Sequence, residues 1–338
     1  MADAHLKVSH AGPLVTIQDA GRPGNLRFGV PRSGPMDRPA FAVANAMLGN
    51  PEGATGIEVS LGGLTLECKD GSVTVAVAGG AFRVLIDGKP LRTWGVVTLR
   101  AGSKLAITPG PVGSWTYLAF AGRLRSKRWL GSAATHSTSS FGGGAIKPGD
   151  TLVVEEAQER SDRERELTPP AWLEPKRDIA IVLGPQDRYF SASTIEALLT
   201  APFTLTDAFD RMGVRLAGPS LTPSVSLDIP SESLSRGSIQ VAGDGVASVL
   251  LADHQSTGGF PKIATLVSSE VDRIAQLRSK DTVRFHAVTP AQAVALVRAD
   301  AHRTADLVAE AAKPPASLLS RLLTSNLIDG VVSGAEPD

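Results

Sequence analysis

Apolar and polar residues alternate along short segments in most of the chain, and this pattern predicts strands that bury one face. Turn-forming pairs such as Asp87-Gly88, Ala101-Gly102 and Pro109-Gly110 separate the segments at short intervals. Such punctuation is typical of antiparallel barrels and sandwiches, whereas a parallel sheet would need more helices between its strands. In the first half, strands are predicted at residues 57–66, 73–77, 82–86, 94–99, 105–108 and 115–120.

One helix is predicted in the first half, where Asp37 caps a segment that has Pro39 in its first turn and ends near Gly49.

The second half repeats the strand pattern and adds helices. Apolar residues at helical spacing predict further helices at residues 193–199, 271–277, 291–297 and, in a leucine-rich segment, 316–328. Strands are predicted at residues 179–183, 225–229, 238–241, 246–251 and 282–288.

A domain boundary is predicted near the middle of the chain. The segment after Glu155 is mostly charged, and Thr168-Pro169-Pro170 follows it. We therefore expect a mainly β protein with two β-rich, barrel-like domains and a few short covering helices. The predicted parts are an N-terminal domain at 1–160, a linker at 161–177, a second β domain at 178–289 and a helical tail at 290–338.

The composition narrows the possible functions. Of the 338 residues, 42% are hydrophobic, and 34 basic residues balance 34 acidic ones. A net charge of zero gives no electrostatic case for binding nucleic acid or an anionic membrane surface. Cys68 is the only cysteine, which excludes an internal disulfide, and no apolar signal core or spanning segment is recognisable. We expect a cytoplasmic protein that binds neither nucleic acid nor membrane.

The motifs of familiar self-contained enzymes are missing. The sequence has no Walker phosphate loop, dinucleotide fingerprint, HExxH helix or GxSxG elbow. Its six histidines are scattered without ligand spacing, so no metal site is predicted. No lysine follows a methionine, so the usual context for biotin attachment to this chain is missing too.

A long polar loop near the N-terminus, within residues 16–37, is the first candidate for a binding site. Its glycines allow close backbone approach and its prolines stiffen the loop. The alternative is an ordered loop without a ligand, in which an aspartate and an arginine form an ion pair. The side chains that are candidates for binding a ligand are Gln18, Asp19, Arg22 and Ser33.

Two shorter segments in the second half also contain candidates. Arg211 could hold a carboxylate or phosphate through its fork of donors. A surface turn explains Asp210-Arg211 equally well. Glu232, among hydroxyl side chains, is a candidate proton acceptor or amide-binding carboxylate, and the alternative is a hydrated turn between strands.

The strongest candidate segment spans residues 250–264. An apolar strand brings Asp253 to its end, and two glycines then expose backbone N–H groups close to Lys262. That combination suits a carboxylate, a phosphate or a developing oxyanion, although a tight glycine turn with a solvated lysine would look similar. Other candidates for binding the substrate in this segment are Gln255, Thr257, Gly258 and Gly259.

Several motifs in order along the chain resemble those of the KipA, or allophanate hydrolase subunit 2, family. The resemblance runs from about residue 10 to residue 286. It implies a β-barrel fold with a cyclophilin-like element and a KipI-like partner subunit that completes the site. The motifs are TIQDAGRPGNLRFGVPRSGPMD, NAMLGNPE, GIEVSLGG, DRMGVRL, PSESLSRGSIQV and LADHQSTGGFPKIATLV.

The resemblance is stronger to the 5-oxoprolinase-type members than to the urea carboxylase type. It implies a subunit that acts with KipI-like and LamB/YcsF-type chains on a small cyclic amide, 5-oxoproline, with ATP used by the complex. The alternatives are a biotin-dependent carboxyltransferase or allophanate hydrolase subunit, and a regulatory protein that only binds its KipI-like partner. The family often has an arginine and a tyrosine in the loop at residues 130–136, which reads LGSAATH here.

Roles follow from this hypothesis. A phosphorylated lactam carbonyl needs N–H donors and a cation, which Gly258, Gly259 and Lys262 would supply. Arg211 would hold the carboxylate of the substrate. Either Glu232 or Asp253 would bind the ring N–H or move a proton.

Overall fold

The first half of the chain forms two antiparallel sheets that pack against each other. The computed structural model describes residues 2–92, 94–224 and 229–315. One sheet has the strand order β11-β12-β1-β4-β9-β6-β7, and the other has the order β13-β8-β5-β10-β3-β2. The strands of the first sheet are β1 (Ala4–Ala11), β4 (Leu64–Asp70), β6 (Arg83–Ile86), β7 (Lys89–Leu91), β9 (Lys104–Thr108), β11 (Arg123–Leu124) and β12 (Thr151–Glu155). Those of the second are β2 (Thr16–Gln18), β3 (Gly56–Ser60), β5 (Ser72–Gly79), β8 (Gly95–Arg100), β10 (Trp115–Phe120) and β13 (Arg165–Glu166).

The second sheet is buried on both faces, which explains why β5 and β10 are apolar almost throughout. Val75 and Phe120 face the first sheet, whereas Ala78 and Tyr117 belong to a core that is shared with the second half of the chain. Helix α1 (Arg38–Leu48) packs on this second face.

The ends of α1 confirm the prediction made for them. The carboxylate of Asp37 accepts a hydrogen bond from the N–H of Ala40 at 3.0 Å. Gly49 ends the helix with φ of 72°, a conformation that glycine adopts without strain.

The second half forms a closed seven-stranded barrel with the order β14-β21-β18-β19-β16-β15-β22. A parallel pairing of β14 with β22 closes it, and the other pairings are antiparallel. A two-stranded ribbon, β17 (Glu232–Ser233) with β20 (Thr257–Gly258), lies outside the barrel order. The barrel strands are β14 (Asp178–Leu183), β15 (Phe203–Phe209), β16 (Gly213–Ala217), β18 (Ser238–Val241), β19 (Ala247–Leu250), β21 (Lys262–Leu266) and β22 (Thr282–Ala287). The other α-helices in the described residues are α2 (Ala192–Thr200), α3 (Ser268–Ala275) and α4 (Pro290–Ala312).

Helix α4 returns to the first half of the chain and packs on α1. Two arginines of the charged segment bind the carbonyls at its C-terminal end: Arg163 donates to Ala312 O at 2.9 Å, and Arg165 donates to Lys313 O at 2.7 Å. Cations are favourable at this end of a helix because its last carbonyls have no partner within the helix. No helix in the described residues is long and apolar enough to cross a membrane.

The prediction of a mainly β fold with a few covering helices is confirmed. The predicted single strand at 57–66 is wrong, because a turn containing Gly63, with φ of 75°, divides it into β3 and β4. Most of the strand predicted at 225–229 and the helix predicted at 316–328 lie outside the described residues. The domain boundaries stay predictions, since one hydrophobic core takes side chains from both halves of the chain.

Candidate functional site

A buried charge cluster lies where the two halves of the chain meet. Arg211, in the connection between β15 and β16, donates from Nε to Asp253 Oδ2 at 2.9 Å and from Nη2 to Gly34 O at 2.7 Å. Its Nη1 contacts the carboxylate of Glu58. The side chains of Arg211, Asp253 and Glu58 are fully buried. The guanidinium of Arg211 is thus occupied by the protein, and the predicted grip on a substrate carboxylate does not fit this geometry.

The cluster keeps Asp253 ionised. Burial opposes the charged form, but the charge and hydrogen bonds of Arg211, together with the N–H of Ser137 at 2.9 Å, outweigh it and lower the pKa of Asp253. Burial raises the pKa of Glu58 despite the attraction of Arg211. A carboxylate with a lowered pKa and a permanent cationic partner is a weak base. The geometry therefore favours a positioning role for Asp253 over the predicted proton transfer.

Glu58 also connects the cluster to the start of α1. Its Oε2 accepts hydrogen bonds from the N–H of Met36 at 2.7 Å and from the hydroxyl of Tyr117 at 2.9 Å. The Tyr117 oxygen in turn accepts from the N–H of Asp37 at 2.7 Å. Each buried donor in this chain of contacts has a partner, as burial in a low-dielectric interior requires.

In the N-terminal loop, Asp19 organises a neighbouring loop. Its oxygens accept from the N–H of Gly21 at 2.9 Å, from Ser132 Oγ at 2.6 Å and from the N–H of Ala133 at 2.6 Å. Arg22 instead lies over the ring of Trp129, 5.2 Å from its centroid. The ion pair between Asp19 and Arg22 considered from the sequence is not formed in the described part of the chain.

Two other residues of the N-terminal loop complete this region. Gln18 is buried and donates from Nε2 to Thr135 O at 3.1 Å. Ser33, at φ of 54°, contributes to the lowered pKa of Asp253. The loop that Asp19 and Gln18 contact also contains Ser137, whose N–H donates to Asp253. The structure therefore brings the N-terminal candidates together with Asp253.

A second group of candidates lies around Lys262. The ammonium of this buried lysine donates to Glu232 Oε2 at 3.1 Å and to Ser233 O at 3.3 Å. The hydrogen bond and charge of Lys262 lower the pKa of Glu232, whose side chain is 46% exposed. Lys262 is therefore not the solvated lysine that the alternative interpretation of this segment assumed.

The ribbon of β17 and β20 places the predicted glycines against a glutamine. In this ribbon Glu232 pairs with Gly258, and Ser233 pairs with Thr257. A Cβ atom on Gly258 would lie 2.8 Å from Nε2 of Gln240, so the glycine permits close contact with that side chain. Gln240 Nε2 donates to Phe260 O at 3.2 Å.

A cavity of about 530 Å³ adjoins this group. The connection between β15 and β16 forms one wall, and the segment around Gln255 and Phe260 forms another. Such a volume is ordinary for small-molecule sites. The side chains that line it include Arg215, Gln240, Ser248, Gln255 and Phe260.

Sequence reasoning missed Glu58 and Gln240. Each is the largest polar side chain of a strand whose positions are all buried, Gly56–Ser60 and Ser238–Val241. A polar side chain in such a strand needs a specific partner, and this was the available signal. The described residues contain no group of three histidine, cysteine, aspartate or glutamate side chains that could hold a metal ion.

Comparisons with known proteins agree with this architecture. The chain is 33% identical over 288 residues to the C-type subunit of 5-oxoprolinase from Haemophilus influenzae, covering 84% of this chain and 91% of that protein. It is 30% identical over 284 residues to the Escherichia coli protein of the same name, covering 83% and 90%. The solved structure of the K. lactis urea amidolyase superposes with a TM-score of 0.78 at 25% identity, covering 90% of this chain but only 20% of that protein. Residues 28–287 match the family described as carboxyltransferase domain, subdomain A and B, and the chain belongs to that family.

Proposed function

We propose that this chain is the C-type subunit of an ATP-dependent 5-oxoprolinase, which opens 5-oxoproline to glutamate. The observation that carries the proposal is the match over 90–91% of the length of two proteins named as C-type subunits of 5-oxoprolinase. Matches to urea amidolyases cover only 16–17% of those proteins. The C-type subunit of 5-oxoprolinase is therefore a better counterpart of this chain than a urea amidolyase is.

Partner subunits are part of the proposal. We propose a KipI-like and a LamB/YcsF-type chain, and a cytoplasmic location where ATP is present. Several large apolar side chains outside the strands are exposed, and the proposed partner chains would cover them. Their exposed fractions are 69% for Phe28, 53% for Leu130, 46% for Phe141 and 45% for Phe260. This chain is proposed to be inactive alone.

The chemistry of a lactam explains the need for ATP. Amide resonance makes the ring carbonyl a poor electrophile, and phosphorylation of its oxygen gives an intermediate that water can attack. We propose that Lys262 and the N–H groups of Gly258 and Gly259 stabilise charge on that intermediate. Glu232 accepts a hydrogen bond from Lys262 at 3.1 Å and would hold the ammonium of Lys262 in position. ATP is assigned to the complex, and no biotin is attached to this chain.

A second candidate is a carboxyltransferase that acts on urea-like amides with a biotinylated carrier. The family match and the superposition on urea amidolyase favour it. It requires a biotinylated carrier and a carboxylase as additional partners.

The test is 5-oxoproline-dependent glutamate formation by the co-purified three-chain complex, with each chain omitted in turn. We expect glutamate only when all three chains and ATP are present. Lys262→Ala should lower the rate at least about 100-fold if a charge-stabilising contact is lost. Lys69→Ala is the matched control, because Lys69 also pairs with a glutamate, Glu67, but on the exposed surface. No glutamate from the assembled complex would overturn the proposal.

A further inference from the structure

Gln240 occupies an unusual position on the outer face of the barrel. Its strand neighbours Ile239 and Val241 point into the core, so alternation turns Gln240 outward. An outward glutamine is normally solvated, yet this one is only 4% exposed, because Gly258 and Phe260 cover it.

The orientation of the Gln240 amide is fixed by its neighbours. Its Nε2 donates to Phe260 O at 3.2 Å, which directs Oε1 to the other side. There Oε1 accepts from Nε2 of Gln255 at 3.3 Å. Both glutamines line the 530 Å³ cavity, and Gln255 is exposed. One acceptor and one donor thus stand side by side in its wall.

We propose that this glutamine pair recognises an amide whose N–H and C=O lie on the same edge. The ring N–H would donate to Gln240 Oε1, and the carbonyl would accept from Gln255 Nε2. A five-membered lactam presents this edge because its amide is cis, and urea presents it as well. An open-chain secondary amide is trans and directs the two groups to opposite sides. Naming 5-oxoproline as the ligand rests on the proposed function.

The contact that the ligand replaces is weak. The hydrogen bond from Gln255 to Gln240 is long for N–H···O and is made by an exposed side chain, so exchanging it costs little. Gln240 remains held by Phe260 and by the close approach of Gly258, which keeps the acceptor in place before the ligand arrives.

The experiment measures ligand binding by calorimetry to the full chain in its assembled complex, with and without a non-hydrolysable ATP analogue. The ligands are 5-oxoproline, N-methyl-5-oxoproline and urea. Gln255→Glu replaces the proposed donor with an acceptor-only group of the same shape, and Gln240→Met removes the proposed acceptor with a side chain of similar length. Ser248→Ala is the control in the same cavity wall. Thermal unfolding of each variant checks folding, and exposed Gln255 is the substitution least able to disturb it.

We expect wild-type complex to bind 5-oxoproline, and the N-methyl compound and Gln255→Glu each to weaken binding about 10- to 100-fold. Binding of urea but not 5-oxoproline, lost in Gln255→Glu, would support the pair and overturn the proposed substrate. Tight binding of 5-oxoproline that neither glutamine variant changes would overturn the pair and leave the proposed function standing. Failure of both 5-oxoproline and urea to bind would overturn the inference.

Discussion

Arg211 of the barrel and Glu58 of the second sheet form an ion pair in which neither side chain is exposed to solvent. Asp253 completes the group from the other side of the guanidinium. The cluster joins the two halves of the chain, and the backbone adds a hydrogen bond from the N–H of Asp253 to Arg211 O at 2.8 Å. Both walls of the cavity lie close in sequence to these two residues, so the cluster fixes the position of each wall.

Glu58→Gln should lower the free energy of unfolding by about 3 kcal/mol, because it leaves a buried arginine with one carboxylate fewer. Urea unfolding followed by circular dichroism measures this. Glu67→Gln, which removes an exposed partner of Lys69, should change it by less than about 0.5 kcal/mol. Equal losses in the two variants would show that the Glu58 pair contributes no special stability.

Asp37 should make stability depend on pH. Burial and the nearby charge of Asp272 raise the pKa of Asp37 from 3.8 to about 6. The folded protein then holds a proton between these values that the unfolded chain has lost, so stability falls as pH rises from about 4 to about 6 and is level above that. The shift corresponds to about 3 kcal/mol.

Comparison with Asp37→Asn isolates this effect. The difference in unfolding free energy, variant minus wild type, should increase by up to about 3 kcal/mol between pH 4 and pH 7, whatever its value at pH 4. Urea unfolding at several pH values gives the difference. A constant difference across this range would mean that Asp37 keeps an ordinary pKa.

The sequence predicted the elements well where local chemistry decides them. Alternation located about half of the described strands, and the Asp37 cap with Gly49 located α1. It did not locate five longer strands, β1, β12, β15, β16 and β21. The turn at Gly63 was missed although Gly62-Gly63 is a turn signal, because the apolar residues Leu61 and Leu64 on either side were assigned to one strand.

The candidate site was predicted less completely, because its geometry depends on long-range packing. Nothing local in the sequence shows that Arg211 reaches Glu58, 153 positions away, rather than a ligand. Gln240 was missed for the same reason, since its cover comes from residues 258–260. Glu232 was proposed from one segment and Gly258 and Lys262 from another, and the structure brings the three together. Their functional roles stay predictions.

Arg215 should bind the carboxylate of 5-oxoproline. It lines the same cavity as the glutamine pair, and its guanidinium forms an exposed ion pair with Asp244 at 2.6 Å, a kind of contact that contributes little stability. Arg215→Gln should weaken 5-oxoproline binding about 10-fold and change binding of uncharged 2-pyrrolidinone by less than about two-fold. Equal losses for the two ligands would assign Arg215 a structural role.

Gly258 and its neighbour Gly259 offer a matched pair of substitutions. A Cβ at Gly258 would lie 2.8 Å from Gln240 Nε2 and 3.0 Å from a Leu234 methyl group, so the amide must move. The nearest atom to a Cβ at Gly259 is Ile229 O at 3.4 Å, an ordinary contact. Neither glycine has the positive φ that would strain an alanine by itself.

Gly258→Ala should therefore raise the Michaelis constant of the assembled complex for 5-oxoproline about 10-fold, because the displaced Gln240 no longer presents its acceptor to the ring N–H. Gly259→Ala should leave it within about two-fold, since the added methyl group fits without displacing its neighbours. Steady-state glutamate formation measures both, and thermal unfolding confirms that the variants are folded. A larger effect at Gly259 than at Gly258 would mean that the position of Gln240 does not determine how the complex binds 5-oxoproline.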